Sequence, residues 1–159
     1  MKEIVERLIS ENKTIATMES CTGGNLVNEI TNIDGSSNVL KFSAITYSNE
    51  YKIKMGVDKE LIDKYTVYSM EVAKDMSLKI SQFTNSNYGI GITGKLNRID
   101  ENNLFGNDNA VFISIYDSQK DEYFTKKIEV KYTNRFQNKS QVVEEIIKML
   151  KEIIWLIKF

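Results

Sequence analysis

Six consecutive residues, Glu19-Ser20-Cys21-Thr22-Gly23-Gly24, constrain the fold of this chain more than any others. Ahead of them, Thr14-Ile15-Ala16-Thr17-Met18 reads as a short buried strand. After them, Asn25-Leu26-Val27-Asn28-Glu29-Ile30 reads as the first turns of a helix, with Leu26, Val27 and Ile30 on one face. A strand, a small-residue turn and a helix in that order start a crossover whose backbone N–H groups face one concavity. Gly23 and Gly24 let the backbone approach a ligand with no Cβ in the way. Ser20, Cys21 and Thr22 stand at the mouth as three candidate nucleophiles. The positive end of the helix dipole beside them would stabilise an oxyanion. The same spacing also fits an ordinary strand–helix turn with Thr22 as its N-cap.

Two absences narrow the chemistry. The chain has no histidine, so Ser-His-Asp and Cys-His arrangements are impossible, as are histidine-built zinc sites. A catalytic base must be Lys, Tyr, Asp or Glu, and no metal is expected. Proline is also absent, so turns rest on Gly, Asn, Asp and Ser. The one cysteine excludes an internal disulfide and fits a reducing compartment. A net charge of −1 gives no one-signed field for nucleic acid or an anionic membrane, and no apolar run reaches the roughly 20 residues of a membrane span. The N-terminus, Met1-Lys2-Glu3-Ile4-Val5-Glu6-Arg7, lacks the apolar core of a signal peptide, so a cytoplasmic location is expected.

Along the chain, residues 2–12 read as a helix with Ile4, Val5, Leu8 and Ile9 in a stripe. Val39 to Tyr47 reads as extended, with Phe42, Ala44, Ile45 and Tyr47 as core contacts. A helix from Asn49 to Met55 stops at Gly56, Asp58 caps a short helix to Tyr65, and Ser69 caps one from Met70 to Phe83. Tyr88-Gly89-Ile90-Gly91-Ile92 is a strand ending at Thr93-Gly94, and residues 95–109 form a long polar loop. Ala110–Tyr116 and Glu122–Val130 read as an antiparallel hairpin, and Asn134–Lys158 as a long amphipathic helix. Residues 1–159 therefore predict one α/β domain, a three-layer α/β/α sandwich with a mixed, mostly parallel sheet.

A second cluster, Thr46-Tyr47-Ser48-Asn49-Glu50-Tyr51-Lys52, lies at a strand-to-helix junction, where α/β sheets gather active-site groups. With Ser48 or Asn49 as the cap, Lys52 lies one turn in and can project back toward the strand end. Lysine is ordinarily a solvated surface charge. In a histidine-free chain with a serine nucleophile, a desolvated lysine is the base that chemistry offers. Tyr47 reads either as a relay for that proton or as a core aromatic.

Together, Glu19-Ser20-Cys21-Thr22-Gly23-Gly24, Gly35-Ser36-Ser37, Thr46-Tyr47-Ser48-Asn49-Glu50 with Lys52, and Gly56-Val57 resemble the C-terminal domain of the competence-damage-inducible protein A (CinA) family, which includes nicotinamide-nucleotide amidohydrolases. The resemblance implies hydrolysis of the carboxamide of nicotinamide mononucleotide to nicotinate mononucleotide and ammonia, without metal or cofactor. By position, Ser20 matches the family nucleophile, Lys52 its general base and Tyr47 the hydroxyl between them. Substrate contacts map onto Thr22, Gly23, Gly24, Asn49, Thr93 and Arg135, the last suited to a phosphate. Cys21 reads as a small buried hydrophobe.

The second loop departs from the family pattern. Thr93-Gly94 continues with Lys95-Leu96-Asn97-Arg98-Ile99-Asp100 where the family has an alanine–glycine–proline segment, and Thr133-Asn134 replaces a glycine–aspartate before Arg135. Two alternatives stay open beside the amidohydrolase: a non-catalytic relative that binds a nucleotide or protein, and an amidase for another small carboxamide. The apolar end Trp155-Leu156-Ile157-Lys158-Phe159 points to a homodimer contact, although packing on the sheet accounts for it as well.

Overall fold

The computed structural model describes residues 1–155, so the expectation for Leu156-Ile157-Lys158-Phe159 lies outside the described residues. The elements in chain order are α1 (Lys2–Ser10), β1 (Ile15–Glu19), α2 (Asn25–Thr31), a 3-10 turn at Ser36–Asn38, β2 (Ser43–Ile45), α3 (Asn49–Lys54), α4 (Lys59–Tyr65), α5 (Met70–Thr84), β3 (Tyr88–Gly94), β4 (Ala110–Asp117), β5 (Glu122–Glu129) and α6 (Arg135–Trp155). The strands form a mixed sheet in the order β2-β1-β3-β4-β5. β1 pairs in parallel with β2 and β3, and the β4 ladders to β3 and β5 are antiparallel, so β4 alone among the described strands points the other way.

Helices cover both faces, and the alternation of side chains along each strand sorts them. Ile15, Ile90 and Ile92 pack with α1, α2 and α6 through Ile4, Leu8, Leu26, Ile30, Val142, Ile146 and Leu150. Ala16 and Met18 pack on the other face against Val72, Met76 and Ile80 of α5. On that face β3 carries glycine for a steric reason: a Cβ on Gly89 would stand 2.0 Å from the Ser77 carbonyl oxygen, and one on Gly91 2.3 Å from that of Ala73. The helix therefore lies directly on the strand. Ser77 and Ser114 close the buried seam with a hydroxyl–hydroxyl bond of 2.9 Å.

The caps fall where residue chemistry puts them. Ser48, Asp58 and Ser69 accept from the backbone N–H groups of Tyr51, Glu60 and Val72. The extended segment at 39–47 is much shorter than its composition suggests, with only Ser43–Ile45 in the sheet. β2 is an edge strand, so Phe42, Ile45 and Tyr47 are largely exposed, and of the four expected core contacts only Ala44 is buried. No helix among the described residues is long and apolar enough to cross a membrane.

Candidate active site

The alternation that sorts the helices also separates two neighbouring polar residues. Glu19 continues the face of Ile15 and Thr17 and turns toward α2, while Ser20, one residue later, meets α3 on the other side. Glu19 is fully buried, and its carboxylate accepts from the N–H groups of Gly24 (3.1 Å), Leu26 (3.2 Å) and Val27 (2.8 Å) and from the Thr22 hydroxyl (2.5 Å). It thereby does for α2 what an N-cap side chain does, since the cap residue itself is Gly24 at φ +96°. A buried negative charge is tolerable here because it meets the positive end of the helix and several donors.

Thr22 is therefore neither the cap nor a ligand-facing hydroxyl, because it is buried and donates to Glu19. Gly23 and Gly24 do not line the cavity. Their left-handed φ values, +59° and +96°, bend the chain so that Glu19 can reach the helix. Their amides are occupied, Gly23 N–H by the Ser20 carbonyl and Gly24 N–H by Glu19. The N–H groups of Cys21 and Thr22 donate to no acceptor among the described residues, and of these two residues Cys21 lines the cavity with Ser20.

Lys52 lies one turn into α3 and is buried, with 1% of its surface exposed. Its Nζ sits 3.1 Å from Ser20 Oγ and donates to the Thr46 carbonyl oxygen at 2.8 Å. Burial lowers the lysine from its ordinary value to about 8, opposed by any negative charge on the neighbouring Cys21 and Asp100. Burial also pushes the Cys21 thiol up to about 12, so Cys21 stays a neutral thiol near pH 7 and Asp100 is the carboxylate that acts on Lys52. The arrangement is a serine hydroxyl against an amine poised to lose its proton, without an intermediary.

Tyr47 does not bridge Lys52 and Ser20 with its hydroxyl in this structure. It is 64% exposed, and its hydroxyl accepts from Arg135 Nη2 at 3.1 Å at the start of α6. The two line one cavity of ≈ 930 Å³ together with Ser20, Asn49 and Lys52. Thr93 is apart from it: its hydroxyl is buried and donates to the Val67 carbonyl at 2.9 Å. Of the residues expected to act, the structure gathers Ser20, Tyr47, Asn49, Lys52 and Arg135 on the cavity, and Thr22, Gly23, Gly24 and Thr93 do not line it.

The 95–109 loop supplies the remaining wall, with Lys95, Arg98 and Asp100 on the cavity. Asp100 is held by the Tyr68 hydroxyl, by Asn103 Nδ2 at 3.0 Å and by the Asn102 N–H at 3.0 Å. Asn103 Oδ1 accepts from Asn49 Nδ2 at 3.0 Å, which ties the loop to the first turn of the helix that carries Lys52. Sequence reasoning assigned no function to Lys95 or Asp100, and none to Glu19. For Glu19 a signal existed: an acid closing a strand otherwise free of charge just before a glycine-opened helix. Among the described residues no group of three or more Cys, Asp or Glu converges as a metal site.

Comparison with known proteins agrees with this architecture. Residues 1–154 match the family model described as the CinA C-terminal domain. A CinA-like protein of Flavobacterium psychrophilum is 32% identical over 159 residues, covering 98% of this chain and 36% of that protein. A competence-damage inducible protein of Clostridium botulinum is 47% identical over 96 residues, 59% of this chain and 24% of that protein. The chain thus spans about a third or less of the length of these relatives. Among solved structures, a CinA superfamily protein of Klebsiella pneumoniae superposes with a TM-score of 0.87 at 20% identity, covering 96% of this chain and 94% of that one. One of Escherichia coli gives 0.86 at 19% identity, covering 96% and 87%. At such identities the superpositions speak for the fold.

Proposed function

The chain belongs to the CinA C-terminal domain family, and from that membership and the site geometry we propose that it is a serine amidohydrolase acting on the carboxamide of nicotinamide mononucleotide. The observation that carries the reading is the 3.1 Å contact between Lys52 Nζ and Ser20 Oγ in a buried setting. Neutral Lys52 takes the Ser20 proton while Oγ forms a bond to the amide carbon. The carbonyl electron pair moves onto its oxygen, which the unpaired Cys21 amide on the cavity is placed to stabilise. Collapse of the tetrahedral intermediate breaks the C–N bond, and the Lys52 ammonium returns the proton to the departing nitrogen as ammonia. Water, deprotonated by the same amine, then releases the acid from Ser20. Arg135 takes the phosphate, with Tyr47 holding its guanidinium in place.

Ammonia release from nicotinamide mononucleotide by the wild type and by Ser20→Ala tests this. Turnover that disappears in the variant supports it; absence of turnover in the wild type removes this substrate. The second reading is a non-catalytic nucleotide-binding relative, favoured by the loop at 95–109, which lines the cavity with Lys95, Arg98 and Asp100. Tight binding of the nucleotide without turnover, and no labelling of Ser20 by a fluorophosphonate, would select it.

A further inference from the structure

The charge of the cavity is unlike that of the chain. Lys52, Lys95, Arg98 and Arg135 line it, against one lining carboxylate among the described residues, Asp100, which Tyr68 and Asn103 already engage. The chain as a whole carries a formal charge of −1. Positive groups have thus been concentrated where a ligand enters.

Lys95 is the unusual member. Its side chain is 2% exposed, and its Nζ is 3.2 Å from Asp108 Oδ1 and 5.1 Å from the centre of the Tyr68 ring. The Asp108 side chain is 46% exposed. The pair is therefore asymmetric: the lysine is almost wholly buried on the cavity wall, whereas the carboxylate is about half exposed and stays hydrated when another anion takes its place. A buried ammonium needs a counter-charge at all times, and an entering anion can supply it as well as Asp108 does. Lys95 and Arg135 also come from different sides of the sheet edge. Lys95 follows β3 and packs against Tyr68 ahead of α5, while Arg135 opens α6 on the opposite face. The cavity, ≈ 930 Å³, is at the upper end of the ~300–1,000 Å³ usual for small-molecule sites. There is room for more than one anionic group.

We propose that Lys95 forms a second anion subsite in the cavity, with Asp108 as its displaceable counterion, and that the preferred ligand is a nicotinamide compound carrying two phosphoryl groups. This rests on the amidohydrolase reading for the amide end of the ligand and extends it at the other end. Lys95 determines specificity and takes no proton in the reaction.

The test compares binding of nicotinamide mononucleotide and nicotinamide adenine dinucleotide, which bear one and two phosphoryl groups, to Ser20→Ala protein by calorimetry. The dinucleotide is expected to bind at least tenfold more tightly. Adding Lys95→Met should collapse that ratio to near one, and adding Lys95→Arg should retain most of it. Adding Asp108→Asn should widen it, because the resident competitor is gone. A ratio unaffected by Lys95→Met overturns the subsite. So does a loss of dinucleotide binding in Asp108→Asn, which would make the pair purely structural, and so does binding of neither ligand. Should Lys95→Met fail to fold, the direction of the Asp108→Asn effect decides alone. Fluorophosphonate labelling of wild-type Ser20 is scored separately. A Lys95-dependent preference without labelling keeps the subsite and removes the amidohydrolase, and labelling without the preference does the reverse.

Discussion

Lys52 Nζ and Ser20 Oγ lie 3.1 Å apart across 32 residues of sequence, with no third side chain between them. Both residues stand at the ends of parallel neighbours: Ser20 follows β1, and Lys52 is in the helix that follows β2. Loss of either side chain should reduce amide hydrolysis by about 10³-fold or more, as removal of one member of a nucleophile–base unit does. Lys52→Arg is the sharper variant. It keeps the charge but cannot deprotonate, so it should be as inactive as Ser20→Ala in an ammonia-release assay.

The pH profile follows from the burial of Lys52. The base form accumulates above pH about 8, so activity and fluorophosphonate labelling of Ser20 should both rise through that region. Asp100 favours the protonated amine. Asp100→Asn should therefore move the midpoint of the labelling curve to lower pH, while Asp100→Glu should largely restore it. An unmoved midpoint would mean that Asp100 does no more than anchor the loop.

The same burial has a cost in stability, with a definite sign. Unfolded Lys52 titrates near 10.5 and folded Lys52 near 8, so between those values the unfolded chain holds more protons and stability contributed by this group rises with pH. Below about 8 the full penalty applies, up to about 3 kcal/mol before its hydrogen bonds are counted. Lys52→Met should thus raise the melting temperature at pH 7, and the gain should shrink as the pH approaches 10. A gain independent of pH would contradict the assigned burial.

Glu19 should matter to folding more than to chemistry. Glu19→Ala leaves the buried N–H group of Leu26 and the partly buried one of Val27 without an acceptor, at roughly 1–3 kcal/mol, or about 2–4 °C of melting temperature per kcal/mol for a chain of this size. Thermal unfolding followed by circular dichroism measures it. Residual activity at low temperature should survive in whatever fraction is folded.

Cys21 should be inert despite its place in the motif. With its thiol pushed up to about 12, iodoacetamide at pH 7.5 should leave the native protein unmodified and react only after denaturation. Rapid alkylation of the folded chain, detected by mass, would show that the residue is more open than its 5% exposure.

Much of this was legible in the residues. Alternating helix and strand periods, with a hairpin at Ala110–Asp117 and Glu122–Glu129, are local patterns, and they sufficed for the layered architecture. Ser48 and Lys52 were legible for the same reason, since cap chemistry fixes the start of α3 and the start fixes which side chain points back. What was not legible depended on partners far away in sequence. The exposure of Tyr47 was not legible, because nothing local reveals that β2 is an edge and that Arg135, 88 residues later, donates to its hydroxyl. Thr93 and Thr22 looked available because their acceptors, Val67 O and the Glu19 carboxylate, become visible only once the sheet is assembled. Lys95 looked like ordinary loop polarity until its burial was known.

The strand that ends in Glu19 and Ser20 imposes an arithmetic on its own evolution. Side chains along β1 alternate, so adding or deleting one residue between Ile15 and Ser20 would present the helix-capping acid to α3 and the nucleophile to α2. Both the cap of α2 and the Ser20–Lys52 contact would be lost in one step. The 95–109 loop is under no such rule: it leaves the sheet at Gly94 and re-enters at Ala110, bridged there by Lys95 N–H to the Ala110 carbonyl. Length and composition can therefore change in the loop while the count in β1 cannot, so the ligand wall can be rebuilt without disturbing the Ser20–Lys52 contact.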